Sequence, residues 1–316
     1  MPFAVLLASL LFQAPPPAAM PGLKLPIDPL KTQYQHYGVG KRLKPKQWPN
    51  GAKVAVALSF DVDNATIPLS RGNLASEDIS RGMYGAIDGL PRILRMLDRQ
   101  HVPASFFIPA ISLALNPEMT QLIQASKRHE IGIHGWIHEH LGVLNNETEE
   151  QQLLNQSIEA LTKAIGKRPV GYRAPSWAMS PFTMGQVKAA GFLYDSSLMA
   201  SDDAYEVTID GAHSGVIELP IERILDDAPY YGAASGSLPS PELVDKVFRA
   251  EFDVAYEEGG LYVLTMHPHY TGHRSRVMWL EKLIVYMKSK PGVWFATHEE
   301  VALYLKKSLM GAGYQK

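Results

Sequence analysis

The run "KVAVALSFDVD", residues 53–63, decides the fold. Its residues Val54–Phe60 are apolar but for Ser59, a continuous stretch of strand length that reads as a strand of a buried sheet. A turn signal, Pro49-Asn50-Gly51, precedes it, and two acids, Asp61 and Asp63, end it.

Outward from this stretch, similar runs recur at "PASFFIP" (103–109), "EIGIHG" (130–135), "PVGYRAP" (169–175), "GVIELP" (215–220), "LYVLTMH" (261–267) and "GVWFAT" (292–297). Helix-period segments separate them at 85–100, 116–128, 147–165, 181–190, 240–258, 277–289 and 298–309. Ser180-Pro181 and Ser240-Pro241 place a capping side chain before a proline suited to a first helical turn. Thr297 with Glu300 reads as a capping box, and Gly191 follows its helix where a left-handed residue is wanted. Strand–helix alternation of this kind predicts an α/β protein with a mostly parallel sheet, and about seven β/α units favour a barrel.

The chain has 316 residues, 46% hydrophobic and 20% charged, with net charge −2. That is a folded chain with no electrostatic footprint for nucleic acid. It contains no cysteine, which excludes disulfides, thiolate metal sites and cysteine nucleophiles. Any metal must therefore be held by His, Asp or Glu. "FAVLLASLLF" (3–12), followed by "QAPPPAAM", is too short to span a bilayer and has signal-peptide length, although no Lys or Arg precedes it. The expected organisation is a signal peptide at 1–19 (or a true start at Met20), an extended arm at 20–50, a catalytic domain at 51–306 and a tail at 307–316. The signal would export the protein to the periplasm; without it the protein is cytoplasmic. No stable membrane insertion is expected. The arm could pack against a second copy in a homo-oligomer.

In an α/β sheet of either form, functional groups gather at the carboxyl ends of the strands. Four strand candidates end in ionisable residues: Asp61 and Asp63, His134, Arg173, and His267. Asp61 and Asp63, two apart, can face one site from an extended backbone; the alternative is a solvated loop or helix cap. His134 and His138, four apart, can share a face if the chain turns helical after Ile133. Two imidazoles and a carboxylate leave positions open on a divalent ion. His140 reads as a surface residue. His269 and His273 either reach substrate or belong to a loop, and Asp226 and Asp227 read as helix or turn groups, with pocket contact the lesser alternative.

These segments, in order, resemble the polysaccharide deacetylases, carbohydrate esterase family 4. The resemblance rests on "SFDVDN" (59–64), "HGWIH" (134–138), "RAPSW" (173–177), "LYDSS" (193–197) and "LTMH" (264–267), and it covers about residues 50–305. It implies a distorted (β/α) barrel of about seven parallel strands, of NodB-homology type. The implied activity is hydrolysis of a non-peptide amide, typically an N-acetyl group on a sugar or polysaccharide. It would make Asp63, His134 and His138 ligands of a divalent metal of the Zn2+ type. Asp61 would be the general base toward a metal-activated water, His267 the general acid, and Arg173 the residue that orients Asp61. Trp177, Pro175 and Tyr270 would line the substrate. Val62 separates the family's adjacent Asp pair, and Gly135 stands where Ser or Thr is usual. Both departures resemble a branch that includes peptidoglycan deacetylase-like proteins, cyclic imide hydrolases and metal-independent allantoinases. A cyclic amide or imide is therefore the alternative substrate, and a non-catalytic carbohydrate-binding protein the alternative from another class.

Overall fold

The computed structural model describes residues 21–232 and 238–310. Its strands are β1 (Tyr37–Arg42), β2 (Val54–Asp61), β3 (Ser105–Ile108), β4 (Glu130–Ile133), β5 (Gly171–Tyr172), β6 (Tyr194–Asp195), β7 (Tyr205–Ile209), β8 (Ala212–Glu218), β9 (Leu261–Met266) and β10 (Val293–Ala296). All eight residues of β2 are buried, as its unbroken apolar run demands. Val56 pairs with both Phe295 and Tyr262, and Ser59 with both Ser105 and Thr265. Strand β9 therefore runs along one edge of β2, while β10 and β3 share the other.

From β3 the sheet continues through β4, β5, β6 and β8 in parallel, then through β7 and β1 in antiparallel pairing. The curl is drawn toward closure by a single parallel bridge from Asp226 to Thr265 of β9. The result is the expected distorted barrel, built as a curled mixed sheet. All seven predicted strands are present. Strand β6, two residues long, and the hairpin partner β7 were not anticipated.

Helices cover the sheet because their apolar spacing demands it. In Leu90–Gln100, Leu90, Ile93, Leu94 and Leu97 follow an i, i+3, i+4, i+7 stripe and are buried. Each such burial is worth about 1.5–3 kcal/mol. Helix Glu147–Ile165 starts on Asn146, whose side chain accepts from the Glu149 N–H, and ends at Gly166 with φ 76°. Ser240 caps Pro241–Glu258, and Thr297 with Glu300 closes a capping box on His298–Leu305. Ser180 does not cap a helix. Its hydroxyl donates to Glu150 at 2.5 Å and accepts from the Phe182 N–H, and the helix begins only at Thr183.

The arm is not extended throughout. Ile27–Gln35 is helical, and β1 adds the outer antiparallel strand to the sheet. Among the described residues no helix is long and apolar enough to cross a membrane. The candidate signal segment, 1–19, lies outside the described residues.

Candidate active site

Beyond Asp61 the extended backbone continues for two more residues. The Val62 side chain enters the core, and its N–H donates to the Phe107 carbonyl at 2.8 Å. Alternation then sends Asp61 and Asp63 to the opposite side together. The strand end is clamped there: the Ser112 hydroxyl donates to the Val62 carbonyl at 3.1 Å, and the Thr66 hydroxyl to the Asp63 carbonyl at 2.7 Å. Both carboxylates are buried.

His134 leaves the end of β4 and donates from Nδ1 to the Arg173 carbonyl at 2.8 Å. That bond fixes the tautomer and leaves Nε2 with a free lone pair. His138 reaches the same side, but not by a helical turn. Residues 134–140 form a bend in which Gly135 (φ 73°) and His138 (φ 64°) are left-handed. The Glu139 carboxylate holds this loop by accepting the N–H groups of Trp136 and Ile137. A Cβ on Gly135 would lie 2.7 Å from Pro175 Cγ, which explains the absence of Ser or Thr. His140 is exposed, as expected.

Arg173, fully buried, ties Asp61 to the sheet. Its Nη1 donates to Asp61 Oδ1 at 2.6 Å and to the Ser59 hydroxyl at 3.0 Å. Its Nε and Nη2 donate to the carbonyl and hydroxyl of Ser196, and its guanidinium lies 4.1 Å above the Phe107 ring. Nη2 also approaches His298 Nε2 at 3.4 Å. Behind it, the Ser105 hydroxyl donates to Glu130, whose carboxyl also accepts from the Tyr194 hydroxyl. Glu130 and His298 were not singled out from the sequence.

Across the site, His267 follows β9 and donates from Nδ1 to Asp227 Oδ1 at 2.6 Å. The other Asp227 oxygen accepts from the His267 and Thr271 backbone N–H groups and from the Thr271 hydroxyl. Asp227 is thus no mere turn residue but the partner of the candidate acid. Burial favours the neutral ring of His267, yet the carboxylates of Asp227 and Asp226 outweigh it and hold the pKa well above the usual range. Burial lifts Asp226 to about 7.

The residue set fits a divalent cation. Asp63, His134 and His138 each present a ligand atom, all within 4.8 Å of one another. His134 Nε2 lies 3.5 Å from Asp63 Oδ1, and His138 Nε2 lies 3.7 Å from Asp63 Oδ2. Both Asp63 oxygens are buried without a hydrogen-bond partner. Burial alone would raise Asp63, but the surrounding imidazoles of His138, His267 and His134 bring it down to about 2. Burial pushes His138 down to about 4, against the pull of Asp63. A buried, unpartnered carboxylate beside two imidazole nitrogens is the donor set a cation requires. A second grouping, Asp226, Asp227 and His267, is geometrically close, but hydrogen bonds already occupy both oxygens of Asp227.

Of the expected substrate-lining residues, Tyr270 stands beside the site, its ring 5.6 Å from that of His267 and 4.1 Å from that of His269. Pro175 is buried against Gly135. Trp177 lies 5.4 Å under the Arg223 guanidinium and packs on the smaller core cluster; among the described residues its ring meets no histidine. His269 is buried 5.6 Å from His267, while His273 stacks on Tyr84 at 4.2 Å.

A buried Asp–His–His cluster, flanked by an Asp–Arg pair and a His–Asp pair, stands at the carboxyl ends of the parallel strands of the curled sheet. A sequence model described as polysaccharide deacetylase matches residues 81–194. Over 282 residues the chain is 29% identical to a protein named peptidoglycan deacetylase from Helicobacter pylori, covering 79% of this chain and 95% of that one. A Mycobacterium smegmatis crystal structure described as a polysaccharide deacetylase superposes with TM-score 0.78 at 34% identity, covering 85% of this chain and 95% of the other. The fold is shared as well with Puue allantoinase, at TM-score 0.75 and 21% identity over 85% of this chain and 95% of that one. The chain belongs to the polysaccharide deacetylase family, whose activity is hydrolysis of carbon–nitrogen bonds other than peptide bonds.

Proposed function

We propose that the protein is a metal-dependent deacetylase of an N-acetylated sugar or polysaccharide, its catalytic unit spanning about residues 51–306. The observation that carries this reading is Asp63. Its two buried oxygens have no hydrogen-bond partner and face the imidazoles of His134 and His138. With their one oxygen and two nitrogen donors, Asp63, His134 and His138 would hold an ion of the zinc type. A bound divalent ion would supply a lower pKa for the attacking water and polarisation of the amide carbonyl.

This chain's own residues supply the proton transfers. Arg173 engages Asp61 Oδ1, which leaves Oδ2, 3.6 Å from His134 Nε2, to accept a proton from the attacking water. A C–O bond forms to the acetyl carbon and the C–N bond breaks. His267 carries a proton on Nε2 because Asp227 holds Nδ1–H and favours the charged ring. It gives that proton to the departing nitrogen, and acetate and an amine result. Each proton-transfer partner is worth about 10²–10⁴ in rate. The glycan assignment draws on the Helicobacter pylori relative, which is named a peptidoglycan deacetylase.

Acetate release from an N-acetylglucosamine oligomer, measured beside ring opening of a cyclic imide, tests the reading. Acetate release that stops on chelation and returns with zinc is the expected result. Cleavage of the imide alone, unaffected by chelation, would replace it with a cyclic-amide hydrolase.

A further inference from the structure

Arg173 carries five N–H donors, and each has an acceptor. Nε meets the Ser196 carbonyl at 2.9 Å, and Nη1 meets Asp61 Oδ1 at 2.6 Å and the Ser59 hydroxyl at 3.0 Å. Nη2 meets the Ser196 hydroxyl at 2.8 Å and His298 Nε2 at 3.4 Å. The fifth acceptor is thus an imidazole brought by helix His298–Leu305, 125 residues further along the chain.

His298 is held so that this nitrogen accepts. Its side chain is fully buried. Its backbone N–H donates to the Ser105 hydroxyl oxygen at 2.8 Å, and its Nδ1 lies 3.1 Å from the same oxygen. Ser105 has one hydroxyl hydrogen, and it goes to Glu130 Oε2 at 2.8 Å. The Ser105 oxygen is therefore an acceptor toward the ring. Nδ1 carries the ring proton, and Nε2 turns a lone pair to Arg173. Glu130 anchors the same helix start by accepting the Glu299 N–H at 2.8 Å. Burial and the Arg173 guanidinium both push the ring well below the usual histidine range, which keeps it neutral. Phe107 completes the seat. Its ring lies 4.1 Å under the guanidinium and edge-on to the His298 ring, with centroids 5.4 Å apart.

A guanidinium is a rigid plane, so fixing its Nη2 edge fixes the direction of its Nη1 edge. We propose that His298 is a positioning residue for Asp61: by accepting the fifth N–H of Arg173 it aims Nη1 at Asp61 Oδ1 and leaves Oδ2 directed at the attacking water. The effect on rate rests on the deacetylase reading; the geometry does not.

The test uses His298→Leu, which removes the acceptor but stays apolar and of similar size, and His298→Gln, whose amide oxygen can stand near the place of Nε2. On the zinc-loaded enzyme with an N-acetylglucosamine oligomer, His298→Leu should lower kcat by about 10- to 100-fold, the scale of one hydrogen bond to a charged group, with KM unchanged. His298→Gln should recover most of that loss. In an Asp61→Asn background the Leu substitution should cost nothing more, because its effect passes through that carboxylate. Equal loss in both variants, a loss confined to KM, or a loss of the same size without Asp61 would overturn the proposal. Nitrogen NMR of the zinc-loaded protein reads the geometry without activity. It should show His298 Nδ1 protonated, Nε2 bare, and the two Nη2 protons of Arg173 resolved, merging in His298→Leu but not in His298→Gln. If the wild type releases no acetate, the deacetylase reading falls and these signals decide the positioning alone. The opposite tautomer, or Arg173 signals unmoved in His298→Leu, would refute it. Should both variants fail to fold, the wild-type tautomer still decides.

Discussion

Replacing Asp227 with Asn tests whether His267 is both charged and aimed by its partner. Asp227 Oδ1 takes the His267 Nδ1–H at 2.6 Å, and Oδ2 takes three donors, from the His267 N–H, the Thr271 N–H and the Thr271 hydroxyl. An amide keeps the shape but has one oxygen. Facing that oxygen to the three donors turns the NH₂ toward Nδ1, which must then accept. The ring loses the charge that holds its proton. An opposite charge at this range is worth about 1–3 pKa units, although Asp226 remains and preserves part of the shift. As the proposed general acid, His267 acts in its protonated form, so the alkaline limb of kcat/KM should move down by about 1–3 units. Above the variant's pKa the rate should fall by about 10- to 1000-fold. Acetate release measured from pH 5 to 10 on wild type and variant reads this directly. Stability follows the same sign. A raised histidine contributes below its unfolded pKa of about 6.5 and loses that contribution as pH rises through the folded value. The stability gap between wild type and variant should therefore narrow in alkali. An unmoved alkaline limb would refute the reasoning, even if the rate dropped.

Arg173→Met leaves Asp61 buried without its partner, and urea unfolding should register a loss of about 3–5 kcal/mol along with lost activity. Glu130 is lifted by burial to about 7 from the usual 4.5, against hydrogen bonds from Tyr194, the Glu299 N–H and Ser105. The native state then holds a proton the unfolded chain has released, so stability should fall by about 3 kcal/mol as pH rises from about 4.5 to about 7. Denaturation of Glu130→Gln across that range should lack the slope. Gly135→Ala forces a Cβ into a left-handed position 2.7 Å from Pro175 Cγ, and thermal unfolding should show a loss exceeding about 1 kcal/mol.

The strands that carry the site were legible because burial on both faces writes a continuous apolar run, and the ionisable residue that ends each run marks its carboxyl end. Asp61, Asp63, His134, Arg173 and His267 were readable on that ground. The route by which His138 arrives was not, because a loop held by Glu139 and two left-handed residues leaves no periodic trace. Strand β6 is two residues long and its second residue is an acid, so it writes no apolar run of its own. Asp227 was hidden for a related reason. Its pairing with His267 spans 40 residues and depends on the bridge of Asp226 to β9, a tertiary contact. The one local hint was that two acids follow the "GVIELP" run after a short interval, as Asp61 and Asp63 end theirs. The Ser180 cap failed because Glu150, from a helix remote in sequence, captures the hydroxyl.

The proposed function rests on a single ion that Asp63, His134 and His138 would hold. Anomalous diffraction from crystals of the zinc-loaded protein, collected on either side of the zinc absorption edge, tests this most directly. A single peak within bonding distance of Asp63, His134 Nε2 and His138 Nε2, gone in His138→Ala, is the predicted result. A peak at Asp226, Asp227 and His267 instead, or no peak in an enzyme that still releases acetate, would contradict it.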